Sequence, residues 1–413
     1  MARIFIVFVV ALVVAGCGER PPADVAKKAQ PPKVRVLPKA LTDHVVKRRH
    51  DPMKELPDVI AKAQQSLHER SDNWYEVLHF EKEVCAPEKK DDKKKKKKQK
   101  KKKPKCKIVR WTRTDFDIVL AVAHVTAPTA FEHIVFRRSE APMTRRRVAK
   151  GEFAVSWEKF SGCNTAFEIT RPPGYVLLAL RRPIGEGKGH RDVVYTPYTK
   201  EIDTVEMRRA GYNYSYDKFE HALKSLRTLS VRSQAFRKEL VPDVVPIDVA
   251  VRLGLIEHID PYRVQRGESM VQLTSEALVI TAANREHAYT CSMSKKGAYG
   301  WLQFIPRTYR SIVRQYPEAV LIPDFRAGMN DHPNAAAATL LLFDSDWSQA
   351  PPQYRRWLRE NPDELERYLA VMYNSGKAAK LIAQYGERWI EHLLPETRMY
   401  VHKLAEVRKV LGN

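Results

Sequence analysis

A chain of 413 residues with 44% apolar side chains can bury a sizeable core, and typical domain sizes divide it into two folded units with connecting segments rather than one. The formal net charge of +23 points to a polyanion binder only until its distribution is read: residues 89–107 hold 14 lysines against two aspartates, a net +12 that leaves +11 elsewhere. A like-charge block repels itself and stays solvated, so this run reads as a disordered low-complexity loop and not as a nucleic-acid interface.

In chain order, Arg3 precedes an apolar or small run from Ile4 to Gly16, too short for a comfortable membrane span and suited to the core of a signal peptide. Val14-Ala15-Gly16-Cys17 closes it and resembles the lipobox of bacterial lipoproteins, in which the cysteine is acylated and becomes the mature N-terminus. The resemblance implies a signal peptide over 1–16 and a lipidated Cys17 at the head of a proline-containing tether over 17–45. An ordinary signal peptide with a chance cysteine, or a short N-terminal anchor, are the alternatives. Gly18 stands where an Asp tends to retain lipoproteins at the inner membrane, so the same resemblance implies the outer membrane, facing the periplasm.

An exported chain keeps disulfides. Cys85 and Cys106 flank the lysine run and are candidates to staple its ends, whereas Cys163 and Cys291 have no local partner, and sequence alone does not fix connectivity. Outside the cytoplasm the available polyanions are peptidoglycan carboxylates, anionic lipid heads and lipopolysaccharide phosphates, so the lysine run is a candidate contact with the envelope surface.

Leu56, Val59, Ile60, Ala63 and Leu67 have helical spacing within Met53 to Arg70. From Trp74 to about Tyr198 the texture is β-like, with Ile108 to Trp111, Phe116 to Val125 and Tyr175 to Leu180 separated by turn signals such as Arg171-Pro172-Pro173-Gly174. Phe116, Ile118, Leu120 and Val122 alternate as a half-buried strand requires. From Tyr216 the pattern is helical to the end, beginning with Phe219, Ala222, Leu223 and Leu226 on one stripe. The expected fold class is therefore α+β: a β-rich or α+β accessory domain over 46–210 followed by a mainly α domain over 215–413. No catalytic constellation is visible in the first, which reads either as a substrate-positioning module or as a structural spacer.

The informative segment is Thr274-Ser275-Glu276 through Arg285-Glu286, with a helix N-cap signal at Thr274 or Ser275 and Val279, Ala282, Ala283 and Glu286 on one face. A carboxyl ending an apolar stripe would be partly removed from water and its pKa raised, as a general acid needs; a surface Glu paired with Arg285 or Lys295 is the alternative. Gly297-Ala298-Tyr299-Gly300-Trp301-Leu302-Gln303 follows, its glycines suited to close approach or positive φ, and Pro306 suits a helix start.

Glu286, Gly297-x-x-Gly300-x-x-Gln303-x-x-Pro306-x-Thr308, Tyr373-Asn374-Ser375-Gly376 and Glu396-Thr397-Arg398-Met399-Tyr400-Val401 stand in an order and spacing that resembles the transglycosylase domain of soluble lytic transglycosylases, a fold similar to goose-type lysozyme. The likeness covers roughly residues 245–405, including Asp331-His332-Pro333-Asn334-Ala335. Tyr195 to Leu226 together with the lipobox is more weakly similar to membrane-bound lytic murein transglycosylases of the C type.

The resemblance implies Glu286 as the one acid/base catalyst and Gly300, Gln303, Tyr373, Asn374 and Tyr400 as substrate-contacting residues. It also implies cleavage of the MurNAc–GlcNAc bond of peptidoglycan with help from the substrate's acetamido group, giving a 1,6-anhydro sugar. No cofactor is implied, and the His and Cys spacings form no metal motif. His287 stands where the family usually has Ser, and the loop that follows, with Cys291, is about one residue shorter than usual. Glu268, in Gly267-Glu268-Ser269-Met270, lacks a correctly spaced glycine pair and is set aside. The rivals are a hydrolytic muramidase, a peptidoglycan-binding lipoprotein without catalysis, and a lipid-anchored scaffold. Tyr373 also reads as a core aromatic, with Asn374-Ser375-Gly376 as a helix stop.

Overall fold

The structure, a computed structural model, describes residues 35–42, 55–72, 74–85, 106–140, 147–157, 163, 165, 167–184, 191–294 and 296–412. The helix read from the N-terminal spacing is α1 (Leu56–Glu69), whose Leu56, Val59, Ile60, Ala63 and Leu67 are all buried and whose Pro57 sits in the first turn, where a missing N–H costs nothing. Two strands follow as a long antiparallel hairpin, β1 (Tyr75–Cys85) and β2 (Cys106–His124), in register from Tyr75 opposite Phe116 to Cys85 opposite Cys106. β3 (Phe131–Arg137) pairs with the second half of β2. A separate three-stranded sheet is formed by β4 (Arg147–Lys150), β5 (Phe153–Trp157) and β6 (Phe167–Arg171). The chain then returns to the first sheet as β7 (Tyr175–Ile184), paired with β2, and β8 (Arg191–Tyr195), paired with β7.

The alternation over Phe116 to Val122 predicts one wet face, but from Ile118 to Ala123 both faces of β2 are buried. Ile118, Leu120 and Val122 pack with Phe153, Val155, Trp157 and Phe167 of the small sheet, while Val119, Ala121 and Ala123 pack under α1. A strand covered on both sides becomes apolar at every position, and Ile118 to Ala123 is such a run.

The rest is helical: α2 (Val205–Thr228), α3 (Val241–Val244), α4 (Ile247–Ile256), α5 (Pro261–Gln265), α6 (Met270–Asn284), α7 (Pro306–Gln315), α8 (Phe325–Asn330), α9 (His332–Ser348), α10 (Pro352–Glu360), α11 (Pro362–Ser375), α12 (Ala378–Tyr385) and α13 (Pro395–Val410). The fold is α+β, as composition and periodicity predict. α2 starts well before Tyr216, where Thr204 accepts from Met207 N at 3.2 Å and caps it. α6 likewise starts earlier than expected, so Thr274 and Ser275 are buried helix-interior residues and not caps. Pro306 opens α7, and Asp331 caps α9 by accepting from Asn334 N at 2.8 Å.

Residues from Arg35 onward form one compact unit. α6 joins its cores. Its Leu273, Ala277 and Leu278 join the helical core, and its Val279, Ala282 and Ala283 join the core beneath the five-stranded sheet. α2 crosses α6 so closely at Gly211 that a Cβ there would lie 2.0 Å from Leu278 O.

Candidate functional site

Glu286 lies just past the end of α6. The helix stops at Asn284, Arg285 takes φ 44°, and residues 285–287 form a single 3-10 turn. The apolar stripe expected to end in Glu286 instead faces the sheet, and the left-handed step at Arg285 swings the carboxylate away from it. Its side chain is 57% exposed and pairs at 3.0 Å with Lys218 Nζ on α2. Burial pushes its pKa upward, but a backbone hydrogen bond within its own residue and the Lys218 ammonium outweigh that, so Glu286 is held below the usual carboxylate range. The expected raised pKa is thus corrected. The surface pairing anticipated as the alternative is present, though its partner is Lys218: Arg285 stands 4.0 Å from Asp58, and Lys295 lies outside the described residues.

The turn that carries Glu286 is held at both ends by the β-rich part. On one side, buried Asn284 grips the Thr196 backbone after β8: its Oδ1 accepts from Thr196 N at 2.8 Å and its Nδ2 donates to Thr196 O at 2.8 Å. Gln64 of α1 donates to Ala283 O at 3.0 Å and to Thr196 Oγ1 at 2.8 Å. On the other side a disulfide joins Cys291 to Cys163, with the Cα atoms 6.0 Å apart and 128 residues between them in sequence. Neither contact is legible in sequence, because each partner is remote; an Asn directly before the Arg-Glu pair was the one available cue.

Beyond Cys291 the chain folds into a small hairpin. Ser294 N donates to Ala298 O, Tyr299 N to Phe304 O and Gly300 N to Ser292 O, with Gly297 at φ 81° and Gly300 at φ 77°. The positive φ read from the two glycines is therefore present, and a Cβ at Gly300 would stand 3.1 Å from Met329 O. Gln303, itself at φ 46°, donates from Nε2 to Gly300 O at 2.7 Å and to Ser292 Oγ at 3.2 Å. The Tyr373 hydroxyl donates to Leu302 O, and its ring meets Phe304 edge-on at 6.0 Å. Gly300, Gln303 and Tyr373 thus form one cluster.

Asn374 is exposed, and its Oδ1 accepts from Thr397 Oγ1 at 3.3 Å; Gly376 closes α11 at φ 66°, so this segment does act as a helix stop. Tyr400 is buried and donates to Glu257, placing it beneath the cluster and not at its surface. Among the described residues no hydrogen bond joins Glu286 to any of these five.

Glu286 instead borders a cavity of about 270 Å³ lined by Ala210, Asn213, Tyr214, Asp217, Lys218, Ala282 and Arg285. The Lys218 ammonium lies 4.7 Å from the centre of the Tyr214 ring, and the Tyr214 hydroxyl is 2.8 Å from His332 Nδ1. The His332 ring packs on Trp301 at 4.9 Å, which links this side of Glu286 to the hairpin. Burial pushes His332 down to about 4, so it is neutral near pH 7. Lys218, Tyr214 and His332 were missed as site residues from sequence, because only the packing of α2 and α9 beside the turn brings them to Glu286. Two larger cavities, about 740 Å³ over β5, β6 and β7 and about 770 Å³ around Arg232, Arg237 and Arg355, do not include Glu286.

Cys17, the signal segment, most of the tether and the lysine-rich loop lie outside the described residues. The backbone register sets Cys85 opposite Cys106, whose sulfur is in a disulfide, the placement a staple across that loop requires. Among the described residues no group of three metal-ligating side chains and no helix long and apolar enough to cross a membrane is found. The chain matches no family model, no curated protein and no solved structure.

Proposed function

We propose that the protein is a lytic transglycosylase that cleaves the MurNAc–GlcNAc bond of peptidoglycan, with Glu286 giving its proton to the leaving oxygen and then taking one from the muramic acid 6-hydroxyl. The observation that carries this reading is the placement of Glu286: a solvent-facing carboxylate on a turn fixed at both ends, beside a small cavity, immediately before the hairpin of Gly297, Gly300 and Gln303. Gln303 and the Tyr373 cluster would shape the glycan side of the site, whereas Tyr400 acts from below through Glu257. In the same reading Cys17 carries the lipid that holds the enzyme at the outer membrane facing the periplasm, and the lysine-rich loop contacts anionic envelope surface.

The Lys218 ion pair favours a second reading, a module that grips peptidoglycan without cutting it, because a carboxyl held as its anion is a poor general acid. The test is to incubate the protein and its Glu286→Gln variant with purified peptidoglycan and identify released muropeptides by mass spectrometry. Anhydro-ended products from the unaltered protein alone are expected. Reducing-end products would make it a hydrolase, and pelleting with peptidoglycan without release would favour the binding module.

A further inference from the structure

α2 lies outside the 245–405 span that carries the main resemblance, yet it supplies five of the eight residues around the cavity beside Glu286 and the only ammonium within ion-pair distance of that carboxylate among the described residues. Lys218 is itself well covered, its side chain 20% exposed, and it is packed over Tyr214, so it is not a mobile surface lysine that happens to reach an acid. The space they share beside Glu286, about 270 Å³, opens to solvent.

Resting on the reading of Glu286 as the acid/base catalyst, we propose that Lys218 is its positioning and charge-tuning partner: it holds the carboxylate at the mouth of the cavity in the free protein and sets the pH range over which Glu286 can carry a proton. Every proton taken up by Glu286 breaks the ion pair, and the pair re-forms when the proton passes to the leaving oxygen. Lys218 therefore opposes loading of the acid and stabilises the anion left behind.

The other groups facing this point are few. Tyr214 and Asp217 come from α2 and Arg285 from the turn itself, whereas His287 of that turn lies against His68 of α1. His332 and its neighbour Asp331 come from the start of α9. His332 is neutral near pH 7, and Arg285 is turned toward Asp58, so Lys218 is the cation that dominates.

The experiment compares the full chain with Lys218→Met, Lys218→Arg and Glu286→Gln. It measures kcat and KM on purified glycan strands from acid to mildly alkaline pH, and titrates the Glu286 carboxyl carbon by NMR. Lys218→Met is expected to move the alkaline limb of kcat and the NMR titration together to higher pH, with roughly tenfold more rate on that limb for each pH unit moved and a smaller change in KM. Lys218→Arg is expected to keep both near their original positions. An unmoved titration in Lys218→Met would overturn the inference even if Glu286→Gln is inactive. Full activity in Glu286→Gln would remove the catalytic reading while the NMR titration still reported on the pair.

Discussion

Replacing Asn284 by alanine tests whether the β-rich part truly holds the turn that carries Glu286. The substitution deletes the hydrogen bonds to Thr196 N and O, both 2.8 Å, and the one to Ile280 O at 2.9 Å. Thr196 is fully buried, so its two backbone groups lose their partners where water cannot replace them, and at about 1–3 kcal/mol each the expected loss is roughly 2–6 kcal/mol. Asn284→Asp separates this account from one based on volume. The carboxylate still accepts from Thr196 N, but its second oxygen faces the carbonyls of Thr196 and Ile280, so at neutral pH Asp is expected to cost at least as much as Ala and to recover in acid. Urea unfolding at the two pH values reads both effects, and activity on peptidoglycan reads whether Glu286 has shifted. The reasoning is refuted if both variants lie within about 0.5 kcal/mol of the unaltered protein, the usual range for an unimportant surface change, or if Asp is milder than Ala at neutral pH.

Gly211→Ala should destabilise by about 3 kcal/mol or more, because its Cβ would meet a backbone carbonyl and not a flexible side chain, and a lowered thermal midpoint with separated α2 and α6 would show it. Cys163→Ser removes a cross-link spanning 128 residues and should cost about 2–4 kcal/mol; in reductant, which opens every disulfide, the variant and the unaltered protein should then unfold alike. Burial pushes Asp346 up to about 7 from 3.8, so its protonated form favours the fold: that contribution is complete below about pH 4 and is lost as pH rises through about 7. Asp346→Asn should therefore gain stability relative to the unaltered protein as pH rises from about 4 to about 7 and keep that gain above it, measured as the difference between their unfolding curves, and an unchanged difference between about pH 4 and 7 would count against it.

Local patterns were legible because they depend on neighbours in sequence. The spacing of Leu56 to Leu67 specified α1, the two glycines offered the close approach and positive φ that the hairpin uses, and Pro306 marked a helix start. The strand at Ile118 to Ala123 and the boundaries of α2 and α6 were misread for one reason. Periodicity reports one wet face, and these elements have none or are capped by residues whose role appears only when their partners arrive.

The candidate site divides in the same way. Glu286, Gly300, Gln303 and Tyr373 were named through the resemblance that their order and spacing carry, since one short stretch and one helix end hold them. Tertiary structure alone decided that Glu286 turns off the apolar stripe, that Lys218 holds it as an anion, and that Asn284 and the Cys163–Cys291 bond anchor it to the β-rich part. A carboxyl's proton affinity is set by the charges and water within a few ångströms, and those come from residues far away in the chain.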